Sequence, residues 1–190
     1  MRHCIILLAA FSILLPVSSS VFAESSHVEW DILNDEVKEL YRTGNYGRAV
    51  VVAKKALEVA EENVGPYHPD VATSLNELAL LYSAQDHYAQ AEPLYKRALK
   101  IYEKALGPDH TSVATGLNNL AGLYQAQGHY AQAEPLLKRA LKIYEEALGS
   151  DHPHVATGLE NLAGLYRATN RDKEAEPLEE RAARIRGVKR

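Results

Sequence analysis

The chain has 190 residues, a formal net charge of −4 and a single cysteine, Cys4. The mildly acidic balance excludes the broad basic surface that nucleic acid requires, and one cysteine excludes a disulfide within the chain. Proline and glycine number 8 and 11 and fall at regular places, the pattern of an ordered chain and not of a linker.

The first 23 residues read as an export signal. Arg2 and His3 make a short basic start, Ile5 to Leu15 is almost wholly apolar, and Pro16 with Ser18 to Ser20 breaks the run. Val21-Phe22-Ala23 then places small residues where a signal peptidase inspects them, so cleavage is expected after Ala23. The apolar core, about ten residues, is short of the ~20 that span a bilayer, so no stable membrane anchor is expected after cleavage. The expected destination is the periplasm of a two-membrane bacterium, or otherwise the secreted fraction. Cys4 leaves with the signal, and with it go thiolate metal sites and thiol nucleophiles.

From Glu24 onward a period of 42 organises the chain. His68, His110 and His152 are 42 apart, as are Leu75, Leu117 and Leu159, Leu78, Leu120 and Leu162, Tyr82, Tyr124 and Tyr166, and Pro93, Pro135 and Pro177. The units read as 24–67 (a degenerate helix pair serving as a cap), 68–109, 110–151 and 152–190, the last with a basic tail. In the middle unit Val113, Leu117, Leu120, Ala121 and Tyr124 line one face of a helix. Gly128 ends that helix in a tight turn. Tyr130, Ala133, Leu137, Ala140, Leu141 and Tyr144 line a second helix, reaching to about Leu148. Neither stripe can be buried by its own helix pair, so neighbouring units must stack. Pro93, Pro135 and Pro177 sit inside the second helices, where each removes one backbone hydrogen bond and is expected to bend the helix.

The run Leu117-x-x-Leu120-Ala121-x-x-Tyr124, followed by Ala133, Leu137 and Ala140, resembles the tetratricopeptide signature, with leucine for its tryptophan and alanine for its glycine. The period of 42, with HPDVATSLNELALLY and YAQAEPLYKRALKIYEKALG, resembles the kinesin light chain type of this repeat. The resemblance is strong from His68 to about Arg186 and weak from Trp30 to Gly65, where Glu36 replaces an expected apolar residue. Asp172 and Glu179 are similar polar departures in the last unit, suited to the ends of a stack. The fold implied is all-α: an α-solenoid of antiparallel helix pairs in a right-handed superhelical array.

No catalytic site, metal site or cofactor is expected. One histidine per unit, at the loop entering the first helix, cannot share an ion whose ligands lie near 2 Å. The mature serines, Ser25, Ser26, Ser74, Ser83, Ser112 and Ser150, lie in no Gly-x-Ser-x-Gly turn, and no glycine-rich phosphate loop is present.

In tetratricopeptide arrays the first helices line the concave side, where extended peptides bind. There the resemblance places Asn76 and Glu77, Asn118 and Asn119, and Glu160 and Asn161. Thr73, Thr115 and Thr157 lie one turn earlier, Gln125 and Arg167 later, and Leu80 points to the same groove, where later units have Gly122 and Gly164. Asparagine carries a donor and an acceptor and can pair with any peptide backbone, although a repeated Leu-Asn-Asn-Leu would also simply keep one face polar. Tolerating helix glycines at about 1 kcal/mol each points to a close approach to the backbone. The expected partner is therefore a protein or extended peptide. The acidic start, Glu24 to Glu39, and the basic end, Arg181 to Arg190, allow head-to-tail self-association as well. A self-associating unit of the cell envelope, or an accessory subunit of a separate enzyme, are the alternatives to a binding scaffold.

Overall fold

The computed structural model describes residues 19–187, and side chains over 28–187. Most of the expected export signal, residues 1–18, and the end of the basic tail lie outside the described residues. Eight helices follow in order: α1 (Ser19–Arg42), α2 (Tyr46–Val64), α3 (Pro69–Ser83), α4 (Tyr88–Leu106), α5 (Thr111–Ala126), α6 (Tyr130–Leu148), α7 (Pro153–Ala168) and α8 (Asp172–Ile185). There is no strand among the described residues, and no helix there is long and apolar enough to cross a membrane. Each odd-numbered helix packs on the next to make four pairs, and each even-numbered helix packs on the first helix of the following pair. The first helices also touch in series, α1 on α3, α3 on α5 and α5 on α7. This is an α-solenoid, with the first helices side by side.

The loop histidines have a structural task. His68, His110 and His152 are the N-caps of α3, α5 and α7, and each Nδ1 accepts the backbone N–H two residues on, at 3.3, 3.1 and 3.2 Å. One orphan donor per first helix is thereby satisfied. Pro69 and Pro153 follow at the first helical position, where the missing N–H costs nothing. Within each pair the turn needs a left-handed residue, at Gly44, Asp86, Gly128 and Asn170, with φ of 74°, 60°, 74° and 58°. Glycine supplies this conformation freely, and Asp and Asn are the side chains that tolerate it best.

The core follows the repeat. Ala79, Ala121 and Ala163 on the first helices and Ala91, Ala133 and Ala175 on the second are fully buried, which sets how closely the helices approach. Gly116 and Gly158 are buried as well; a Cβ added at Gly158 would meet Leu141 Cδ1 at 3.2 Å. Ser74 holds the same position in α3 and accepts a hydrogen bond from the Trp30 indole at 2.8 Å. Tyr124 and Tyr166 are buried, and their hydroxyls donate to Glu92 and Glu134 on the preceding pair (3.1 and 3.3 Å). The helices α4, α6 and α8 run on uninterrupted past Pro93, Pro135 and Pro177.

A polar clamp recurs at every junction between pairs. Arg97 donates to Glu61 at 2.5 Å and to the Pro66 carbonyl at 3.5 Å. Arg139 repeats this with Glu103 (2.6 Å) and the Pro108 carbonyl (3.1 Å), and Arg181 with Glu145 and the Ser150 carbonyl. Each arginine ties one second helix to the second helix and exit loop before it. At the ends of the stack charge replaces apolar packing. Glu36 pairs with Arg48 at 2.7 Å, Glu179 and Asp172 pair with Arg167 at 2.9 Å, and Arg186 pairs with Glu160 at 2.7 Å.

The clamp is testable at the central junction. Arg139→Met keeps the stem and a similar helix propensity while removing the bonds to Glu103 and to the loop carbonyl. Both charged groups are more than a third exposed, so the loss should be modest, about 0.5–1.5 kcal/mol. At roughly 2–4 °C per kcal/mol for a chain of this size, the thermal midpoint should fall by about 1–6 °C. Arg139→Lys should recover less than half of that, since one ammonium cannot span both acceptors. An unchanged midpoint in Arg139→Met would show that the clamp contributes nothing.

Candidate peptide-binding groove

The face shared by the first helices carries most of the residues singled out above, but they are not equivalent. Thr73 and Thr115 lie on it with their hydroxyls already engaged. Each bonds its own helix carbonyl four residues back (3.2 Å), and each meets a tyrosine hydroxyl of the second helix, Tyr102 or Tyr144, at 2.9 Å. Thr157 accepts a hydrogen bond from Arg186 at 3.1 Å, because Arg186 stands in register with those tyrosines. The threonines therefore join the helices within a pair.

Glu160 and Arg167 are likewise held, by Arg186 and by Asp172 with Glu179. The basic tail also turns inward in part, since Arg181 and Arg186 are both engaged within the chain. What remains is concentrated on α3 and α5. Asn76 is buried, and its Oδ1 has no partner; Asn118 is half-buried, and its Oδ1 is sealed in the same way. Asn119, Gln125 and Asn161 are half-buried, and Leu80 is 40% exposed, an unusual state for a leucine between two buried neighbours, Ala79 and Leu81. At Gly122 and Gly164 an added Cβ would meet nothing within 4 Å, so no part of the chain itself accounts for these glycines.

Three residues of α1 belong to the same face and are absent from the sequence-based set: Asn34, Lys38 and Tyr41. Asn34 stands 42 before Asn76 and 84 before Asn118. It is 3% exposed, and neither polar atom of its side chain has a partner. In register with Tyr102 and Tyr144 the first pair has Ala60, so no tyrosine hydroxyl is available there. The 42-residue spacing carried the signal, but the weak likeness of the first unit concealed it.

Two carboxylates mark the range of environments. The guanidinium of Arg171 and the ammonium of Lys138 hold Glu134 down at about 2. Glu77 has no such donor. Burial pushes its carboxyl up to about 7, with Lys38 opposing and Asp35 adding to the shift, and Oε2 is sealed without a partner. Glu77, Leu80, Leu81, Val37, Lys38 and Tyr41 line a pocket between α1 and α3. Among the described residues there is no group of three histidine, cysteine, aspartate or glutamate side chains placed to hold a metal ion. The His152 and His154 rings stack with centroids 5.2 Å apart, and His152 Nδ1 is engaged in the cap.

The family model described as tetratricopeptide repeat matches three overlapping spans of the chain, residues 40–104, 88–146 and 112–186. The chain belongs to the tetratricopeptide repeat family. Among solved structures, this tetratricopeptide protein is similar to BtubC (BKLC) from P. vanneervenii, at 28% identity and a TM-score of 0.74, over 83% of this chain and 63% of that one. It thus spans under two thirds of BtubC. It is also similar to a putative kinesin light chain of Podosopora anserina with nearly identical repeats, at 26% identity and a TM-score of 0.66, over 83% of this chain and 74% of that one. PilF of Pseudomonas aeruginosa shares the fold, at 22% identity and a TM-score of 0.65, over 85% and 63% of the two chains. No curated protein matches the sequence.

The buried carboxyl gives a pH signature. Folded Glu77 keeps its proton up to about 7, whereas the unfolded chain loses it near 4.5. Between these values the folded state holds more protons, so this group lowers stability as pH rises and its full penalty applies above 7. Glu77→Gln removes the titration. The stability of the variant relative to the parent should therefore increase from pH 5 to pH 8, by an amount on the order of 1–3 kcal/mol at 1.36 kcal/mol per pK unit. The amide's own burial adds an offset that does not vary with pH. A difference between the two melting curves that stays constant over this range would show that Glu77 is not desolvated.

Proposed function

We propose that the chain is an exported scaffold that holds an extended segment of another protein along α3 and α5, without catalysing a reaction. Tetratricopeptide arrays are protein-binding scaffolds. The observation that carries it is the pair of amide oxygens on Asn76 and Asn118, which are sealed and unpartnered on adjacent first helices. A buried acceptor without a donor costs about 1–3 kcal/mol. Backbone N–H groups of an extended segment supply such donors once the amides rotate outward. Leu80 and the bare backbone at Gly122 lie on the same face and suit the close passage of a chain.

A second reading rests on α1. Val28 and Ile32 are 52% and 62% exposed, and Ile32 stands in register with Ser74, Gly116 and Gly158, which are all buried. An apolar strip therefore lies where a preceding helix pair would stack, as self-assembly would require.

The two readings separate on one set of measurements. Random decapeptides displayed on phage and selected on the chain beginning at Glu24 supply a probe whose affinity can be measured by fluorescence anisotropy. Replacing Asn118 and Asn119 together with alanine, a better helix former, removes up to two hydrogen bonds of about 0.5–1.5 kcal/mol each. Affinity should fall roughly five- to a hundredfold, while the melting temperature holds or rises. Ile32→Glu should leave that affinity unchanged. If the asparagine variant binds normally, or if no decapeptide is selected while light scattering shows oligomers that Ile32→Glu disperses, self-assembly is the function. For export, the mass of the native protein should place its amino terminus at Glu24. A native terminus at Met1 would remove the localisation.

A further inference from the structure

We propose that the pocket between α1 and α3 is an anchor for one lysine or arginine side chain of the bound segment, with the stem on Val37, Tyr41 and Leu80 and the cation at the Glu77 carboxylate. This rests on the groove reading and names the chemistry of its occupant. The pocket walls are apolar, with Leu80 and Tyr41 exposed at 40% and 36% and Val37 and Leu81 buried. The acid among them has no hydrogen-bond donor: Glu77 Oε2 is sealed and unpartnered. The nearest cation of the chain, Lys38, bonds Asp35 at 2.9 Å instead. An apolar side chain would fill the space and leave the carboxyl without a donor. An acidic one would meet Glu77 and Asp35 together. Lysine and arginine combine an apolar stem with a charged head, and arginine can engage both oxygens of a carboxylate.

The pocket is particular to this junction. The positions in register with Glu77 are Asn119 and Asn161, and those in register with Leu80 are Gly122 and Gly164. The later junctions therefore have neither the acid nor the leucine wall. One basic anchor at one end of the groove would give an extended segment both register and direction, which amides reading only backbone cannot supply.

The groups facing Glu77 are Lys38 and Asp35 on α1 and Tyr102 on α4. Burial holds the empty carboxyl near 7, so a cation entering the pocket displaces a proton. Affinity should rise with pH through this range.

The test uses the decapeptides selected at pH 8. One lysine or arginine should be enriched at a single position of the selected sequences. Replacing an arginine there with citrulline, which keeps the shape and loses the charge, should weaken binding to the parent chain at least tenfold and to Glu77→Gln less than twofold. Binding of the arginine peptide to the parent should fall several-fold from pH 8 to pH 6, and binding to Glu77→Gln should not. Lys38→Met, which removes a competing cation, should tighten the arginine peptide and leave the citrulline peptide unchanged. Enrichment of aromatic or acidic residues, or an equal loss with citrulline on both chains, would overturn the anchor. The groove reading would survive that result if affinity still responded to the asparagine replacement. Failure to select any decapeptide would overturn both.

Discussion

Everything in this molecule depends on first helices approaching the preceding pair closely enough for one face to seal. Buried glycine at 116 and 158, set against Leu99 and Leu141 of the preceding pair, permits that approach, and a methyl at Gly158 would already press on Leu141. Close packing brings the leucines of neighbouring pairs into one core and lets Tyr124 and Tyr166 reach carboxylates of the pair before them. No pair could be stable alone on these stripes, because the apolar clusters of each run on into its neighbour. The arginine clamps act at the rim of the same contacts and set how one second helix sits against the next.

This packing also explains why the polar residues of the first helices differ in availability. The second helices carry Tyr102 and Tyr144, whose hydroxyls meet Thr73 and Thr115. At the carboxyl end Arg186 takes that place and holds Thr157 and Glu160 together. At the amino end Ala60 takes it, and Asn34 is left with no partner. A single position of the second helix thus decides what the first-helix threonine of the same pair meets, while the Oδ1 atoms of Asn76 and Asn118 stay without a partner beside either tyrosine. The unsatisfied groups gather at α1, α3 and α5, and the carboxyl end is closed by ion pairs.

The unsatisfied groups work against stability. Sealed amide oxygens and a desolvated carboxyl each oppose folding, and only the charge of Lys38 works against the desolvation of Glu77. Glu134, with two cations on it, shows that the same fold can satisfy a carboxylate fully. The contrast with Glu77 lies in the neighbours each pair supplies.

The amino-acid sequence by itself determined the repeat, the helix pairs, the leucine and tyrosine core, the small residues at the contacts and the polar ends. All of these follow from spacing along one helix or from a period of 42, and spacing is a property of the chain alone. It also placed the histidines at helix starts, though not the acceptance of an N–H by each Nδ1. Only the tertiary structure decided which side chains meet across 26 to 37 residues of separation: threonine with tyrosine, arginine with the exit loop, Arg186 with Glu160. It alone revealed that neither polar atom of the Asn34 side chain has a partner and that Glu77 has no donor. The reason is physical: a helical period reports which face a residue occupies, whereas its charge state and its hydrogen-bond partners depend on what the neighbouring pair places against that face.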